Sequence, residues 1–122
     1  MLGGKKQKER RGIMKLAIAS FAGFLLVLGA SGAQAQDVSA AEALMKKSGC
    51  LKCHSVTAKK EGPPFKETAA KYKGKADAEA TLFKHLTTSP RIKVDGNEEL
   101  HDNLKTKNEA DIKNVVKYIL TR

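Results

Sequence analysis

The plainest pattern in the chain lies at its far end. Ile112, Val115, Val116, Ile119 and Leu120 are apolar at i, i+3, i+4, i+7 and i+8, with Lys113, Asn114 and Lys117 between them. That spacing puts one greasy stripe on a helix. Asn108 stands where the cap belongs, and Asp111 falls at the third helical position. Three weaker helical patterns precede it. One opens at Ser39 with Glu42 three residues on, a capping-box pattern, carries Ala43, Leu44 and Met45, and runs toward Gly49. A second follows Pro63-Pro64, shows Phe65, Ala69 and Tyr72 on one face, and ends at Gly74. A third starts after Asp77, sets Ala78, Leu82, Phe83 and Leu86 on one side, and stops by Pro90.

No stretch alternates convincingly with period two, so no sheet of consequence is expected. Residues 87–107 read as loop, with turn signals at Ser89-Pro90 and Asp95-Gly96. The expected fold class is all-α, with three to five short helices.

Ahead of these patterns lies a fourteen-residue apolar run, Leu16 to Gly29. Lys5, Lys6, Lys8, Arg10, Arg11 and Lys15 precede it, and Ala33-Gln34-Ala35 follows. A basic region, a short apolar core and an A-x-A site make a secretory signal peptide. The expected organisation is therefore a signal peptide at 1–35, cleaved after Ala35, and one domain at 36–122. The run is short for a bilayer span of about 20 residues; membrane contact is expected only if this segment stays on as an uncleaved anchor. The expected location is the periplasm.

Charge reads differently once that segment is set aside. The whole chain has 23 Lys plus Arg against 13 Asp plus Glu, a formal net charge of +10. Six of those bases and one acid lie in 1–35, leaving 17 and 12, or +5. Half of the apparent net charge belongs to targeting, and no nucleic-acid partner is expected. A mild positive face suits acidic docking faces on partner proteins. The 87 residues that remain hold four aromatics, Phe65, Tyr72, Phe83 and Tyr118. So small a domain is marginal without help. Short helices with long loops call for something large and apolar at the centre.

Cys50-Leu51-Lys52-Cys53-His54 supplies the reason. Two thiols at i and i+3 reach the two vinyl groups along one edge of a haem, and the adjacent imidazole falls over the iron. C-x-x-C-H is the pattern of c-type attachment, and it occurs once, so one covalently bound haem c is expected. Competing readings are weaker. A thioredoxin-like pair needs a strand before it. A zinc site does not usually place His directly after C-x₂-C. A disulfide across two residues is strained. The export signal also favours haem, since such attachment takes place outside the bacterial cytoplasm on a chain exported unfolded.

With these residues in view, the chain resembles the class I, small bacterial cytochromes c. The likeness rests on the first helix running into Cys50–His54, on Gly62-Pro63-Pro64-Phe65-Lys66 leading to Ala69–Gly74, and on the final helix through Val115–Leu120. It implies a cytochrome c-like fold around the haem. It also implies that Pro63, or Pro64 beside it, packs on the haem and orients His54 through its carbonyl.

The resemblance breaks at one point. The family places a Met across the iron, in the loop before the last helix; here the methionines are Met1, Met14 and Met45. Met45 reads as core filler. His101, ten residues before Asp111, falls about where that Met would lie, with Leu100 and Leu104 flanking it as shields. The expected metal ligands are therefore His54 and His101. The alternatives are His85, a lysine such as Lys93 or Lys105, and a vacant or water-bound position. Two imidazoles favour ferric iron and a potential below that of His/Met relatives.

Two functions are open on these residues. One is transfer of single electrons between redox partner proteins, docking through lysines such as Lys46, Lys47, Lys52, Lys59 and Lys60. The other is binding or sensing of carbon monoxide or nitric oxide, with a displaceable His101 on its loop. The chain is also compatible with a haem subunit associated with another exported cytochrome or oxidoreductase. It holds no triad, paired-carboxylate site or phosphate loop, and independent enzyme activity is not expected.

Overall fold

The computed structural model describes residues 35–122, so the expected signal peptide lies, but for Ala35, outside the described residues. Five helices and one hairpin follow in order: α1 Val38–Lys47, α2 Cys50–Cys53, α3 Phe65–Tyr72, α4 Ala78–Thr87, β1 Arg91–Val94, β2 Asn97–Leu100 and α5 Glu109–Leu120. Among the described residues no helix is long and apolar enough to cross a membrane.

α5 is the hub. Asn108 caps it, its side chain accepting from the amides of Ala110 (2.9 Å) and Asp111 (3.4 Å). The helix packs against α1, α3 and α4. Its buried residues Ile112, Val115, Val116, Tyr118 and Ile119 meet Ala41, Met45, Phe65, Leu82, Leu86 and Leu104. Met45 is 1% exposed and lies in this core, as the sequence suggests. α1 and α5 are also tied by polar bonds. The Asp37 amide donates to Asn114 Oδ1 at 3.0 Å, Asn114 Nδ2 donates to the Asp37 carbonyl at 2.7 Å, and Tyr118 Oη donates to Glu42 Oε1 at 2.9 Å.

Three features of α1 differ from expectation. Its cap is Asp37, whose Oδ1 accepts from the Ala40 amide, rather than Ser39. Glu42 is engaged by Tyr118 from α5 instead of closing a capping box. The helix also does not run straight into the cysteines. It ends at Ser48, and Gly49, at φ +80°, turns the chain into the separate single turn α2.

The larger correction concerns 87–107. Residues 91–100 form a two-stranded antiparallel ribbon, pairing Arg91 with Leu100, Ile92 with Glu99, Lys93 with Glu98 and Val94 with Asn97. Asp95 (φ +49°) and Gly96 (φ +86°) make the two-residue turn, the backbone that Asp-Gly supplies most readily. Ile92 and Val94 tuck partly inward while Arg91 and Lys93 face water. After the ribbon, the Leu104 amide donates to the Leu86 carbonyl at 3.0 Å, and the Lys105 amide to the buried Ser48 Oγ at 2.9 Å. The segment is thereby fastened to α4 and to the end of α1.

Candidate functional site

One large cavity, about 660 Å³, opens between α2, α3, α4, the ribbon and α5. Its size is within the range of small-molecule and cofactor sites. Cys50, Cys53, His54, Pro63, His85 and His101 all line it. Phe65, Leu82, Leu86, Val115 and Ile119 give it apolar walls.

α2 is only one turn long, and that turn brings Cys50 and Cys53 to the same cavity, as i, i+3 spacing requires. Neither is in a disulfide. Burial pushes the Cys50 thiol up from its ordinary pKa. A bond from Cys53 Sγ to Glu61 Oε2, 3.2 Å, pushes the Cys53 thiol up.

The chain leaves the α2 turn at His54 in extended conformation and returns to close beneath it. The Gly62 amide donates to the Cys53 carbonyl at 2.8 Å, and the Phe65 amide to the Ser55 carbonyl at 2.9 Å. This loop carries the Pro63 carbonyl to 2.8 Å from His54 Nδ1. Phe65 stacks on the imidazole, with ring centres 5.5 Å apart and planes 17° from parallel. An Nδ1–H bonded to a carbonyl fixes the tautomer and leaves Nε2 as the free lone pair, the arrangement that metal-binding histidines use. Between the two prolines read from the sequence, the structure selects Pro63 for this bond; Pro64 is buried and caps α3.

Gly62 enters the sequence reading only as part of the family likeness; its role at the site is seen in the structure. A Cβ there would lie 2.7 Å from His54 Nδ1 and 2.9 Å from Nε2, and against Cε1 as well. Space, not backbone freedom, demands glycine. Gly62→Ala is expected to push the His54 ring off the Pro63 carbonyl, destabilise the fold by about 1–3 kcal/mol and weaken the proximal contact. Melting of the coloured protein and its Soret band intensity check this.

His101 follows the ribbon. Its amide donates to the Pro90 carbonyl at 2.9 Å, which extends the hairpin by one more bond and fixes its backbone. Its ring centre lies 6.1 Å from that of His54, with planes tilted by 53°. Metal-bound imidazole nitrogens sit about 2.0 Å from their ion, and rings separated this far leave room for one ion between them. His101 Nδ1 is buried with no hydrogen-bond partner. An orphaned buried nitrogen is costly unless something absent from the polypeptide satisfies it. Burial, then the neighbouring His54, holds the His101 pKa below its ordinary value. The neutral ring that results is the metal-binding form.

His85, expected as a half-buried helix residue, is half-buried and also faces the cavity, its ring centre 4.3 Å from that of His101. Burial and the neighbouring His101 hold its pKa low as well. Lys93 lines the cavity but Lys105 does not. The two leucines beside His101 divide. Leu100 lines the cavity yet is 64% exposed, whereas Leu104 sits in the core away from it. Leu104 therefore does not shield the site.

A helical shell whose C-x-x-C-H turn opens on an apolar cavity, with a carbonyl-bonded imidazole at its wall, is that of a class I, mono-haem c-type cytochrome. The chain belongs to the cytochrome c family, whose model matches residues 38–122. The family's cofactor is a covalently attached haem c, and Cys50 and Cys53 stand in the C-x-x-C-H position. Over 57 residues the chain is 44% identical to cytochrome c-551 of Pseudomonas aeruginosa, a match covering 47% of this chain and 52% of that protein. The chain thus spans about half the length of that curated relative. Class 1 cytochrome MtoD of Sideroxydans lithotrophicus ES-1 is 47% identical, with a TM-score of 0.69 over 71% of this chain and 97% of that one. Cytochrome c552 of Nitrosomonas europaea is 31% identical, with a TM-score of 0.52 over 66% and 96%.

Proposed function

We propose that this protein carries single electrons between exported redox proteins, using one haem c that Cys50 and Cys53 would hold and that His54 and His101 would ligate. The observation that carries the ligation is the 6.1 Å separation of the two imidazoles across the cavity beside the cysteine pair. When bound, the haem supplies an iron that alternates between ferric and ferrous states. The polypeptide does the rest. Pro63 holds His54 in one tautomer. The ribbon holds the backbone of His101 through Pro90. Phe65, Leu82, Leu86, Val115 and Ile119 keep the wall apolar. Two fixed imidazoles favour the ferric state and set the potential below that of a His/Met protein.

Export of residues 36–122 to the periplasm, after cleavage of 1–35, is part of the same reading. So is docking through Lys46, Lys47, Lys52, Lys59 and Lys60, all exposed near the cysteine turn and suited to an acidic partner face. Gas binding requires His101 to leave; its amide bond at the base of a hairpin favours the closed carrier instead. The test is the spectrum of the purified mature protein in both oxidation states, with carbon monoxide then added to the reduced form. Low-spin spectra without a sulfur-to-iron charge-transfer band, and no Soret shift with carbon monoxide, are expected. The charge-transfer band would overturn the ligand pair, and a rapid Soret shift the carrier function.

A further inference from the structure

α4 turns one face to the cavity, and that face carries Leu82, His85 and Leu86 at i, i+3 and i+4. Two of the three are apolar wall. The third is an imidazole whose ring centre is 4.3 Å from that of His101, closer than His101 is to His54. The two rings stand side by side on the same cavity from different supports. His85 stands on a ten-residue helix packed on α5, His101 at the foot of the ribbon. A half-buried imidazole in the same apolar wall is chemically as good a ligand as the one beside it.

We propose that His85 is a second distal imidazole, packed against His101 in the native protein and placed to supply the sixth ligand of the iron when His101 is absent. This rests on His101 being the resident ligand. The distal side then holds a ligand and its reserve, and loss of the first exchanges one bis-imidazole iron for another instead of opening the site.

The holoproteins His85→Ala, His101→Ala and the double variant test it, by absorption and electron paramagnetic resonance and by mixing with carbon monoxide after reduction. His85→Ala and His101→Ala are each expected to stay six-coordinate and low-spin. The double variant is expected to turn high-spin and to bind carbon monoxide rapidly. A high-spin His101→Ala overturns the proposal, because His85 then does not reach the iron. A low-spin double variant also overturns it, because another side chain such as Lys93 then fills the position. A high-spin His85→Ala overturns the underlying ligand assignment, since His85 would be the resident ligand. Should His101→Ala fail to take up haem, His101→Gln keeps the bulk in the wall and is read by the same outcomes.

Discussion

A chain produced with Cys50→Ser and Cys53→Ser is expected to be colourless and without its native fold. The two thiols are the only cysteines, so no other residue can form the thioether bonds. The walls they serve surround about 660 Å³. At about 24 cal/mol per Å³ of unfilled volume, that space represents about 16 kcal/mol, an upper bound because its mouth is open to water. The total stability of a domain is about 5–15 kcal/mol. The space is thus comparable in scale to the whole stability of the domain, and its filling is expected to decide whether this shell of short helices holds its shape. Haem staining after denaturing electrophoresis and far-ultraviolet circular dichroism are the measurements. A helical, cooperatively melting double-serine variant would show that the shell stands without its filling.

The second large effect is on potential. Replacing His101 by Met, in a chain that also carries His85→Ala to remove the competing imidazole, raises the reduction potential on the order of 0.1 V, a fraction of the roughly 0.8 V that axial ligands span. Thioether sulfur favours ferrous iron where imidazole favours ferric. Met is flexible enough to seat its sulfur from the same backbone position. Spectroelectrochemical titration reads the change, and a new sulfur-to-iron band should accompany it. An unmoved potential would mean that residue 101 does not touch the iron.

How far the chain could be read without coordinates follows from how local each signal is. α5 was legible to its cap, because stripe and Asn108 lie within thirteen residues and the structure uses both. The cysteine turn was equally plain. The cap of α1 was not, because the carboxylate of Glu42 is claimed by Tyr118, 76 residues away, which no local pattern foretells. The ribbon was hidden for a different reason. β2 is Asn97-Glu98-Glu99-Leu100 with every residue exposed, so it has no apolar face to alternate. Asp95-Gly96 was the available sign, and a two-residue turn of that type should carry more weight. The role of Gly62 was invisible, since its reason is the ring of His54 lying against it. The helix face of His85 predicts no more than a half-buried residue. Only the folded chain brings it to His101.

The clasp between Asp37 and Asn114 also bears on assembly. A polypeptide threading out amino end first delivers Cys50 and Cys53 long before residue 114 appears. Until then α1 has no α5 to lie on, and the porphyrin-facing wall lacks Val115 and Ile119. Docking of the last helix thus does two things at once: it latches α1 through Asp37 and Asn114 and completes the cavity wall with Val115 and Ile119.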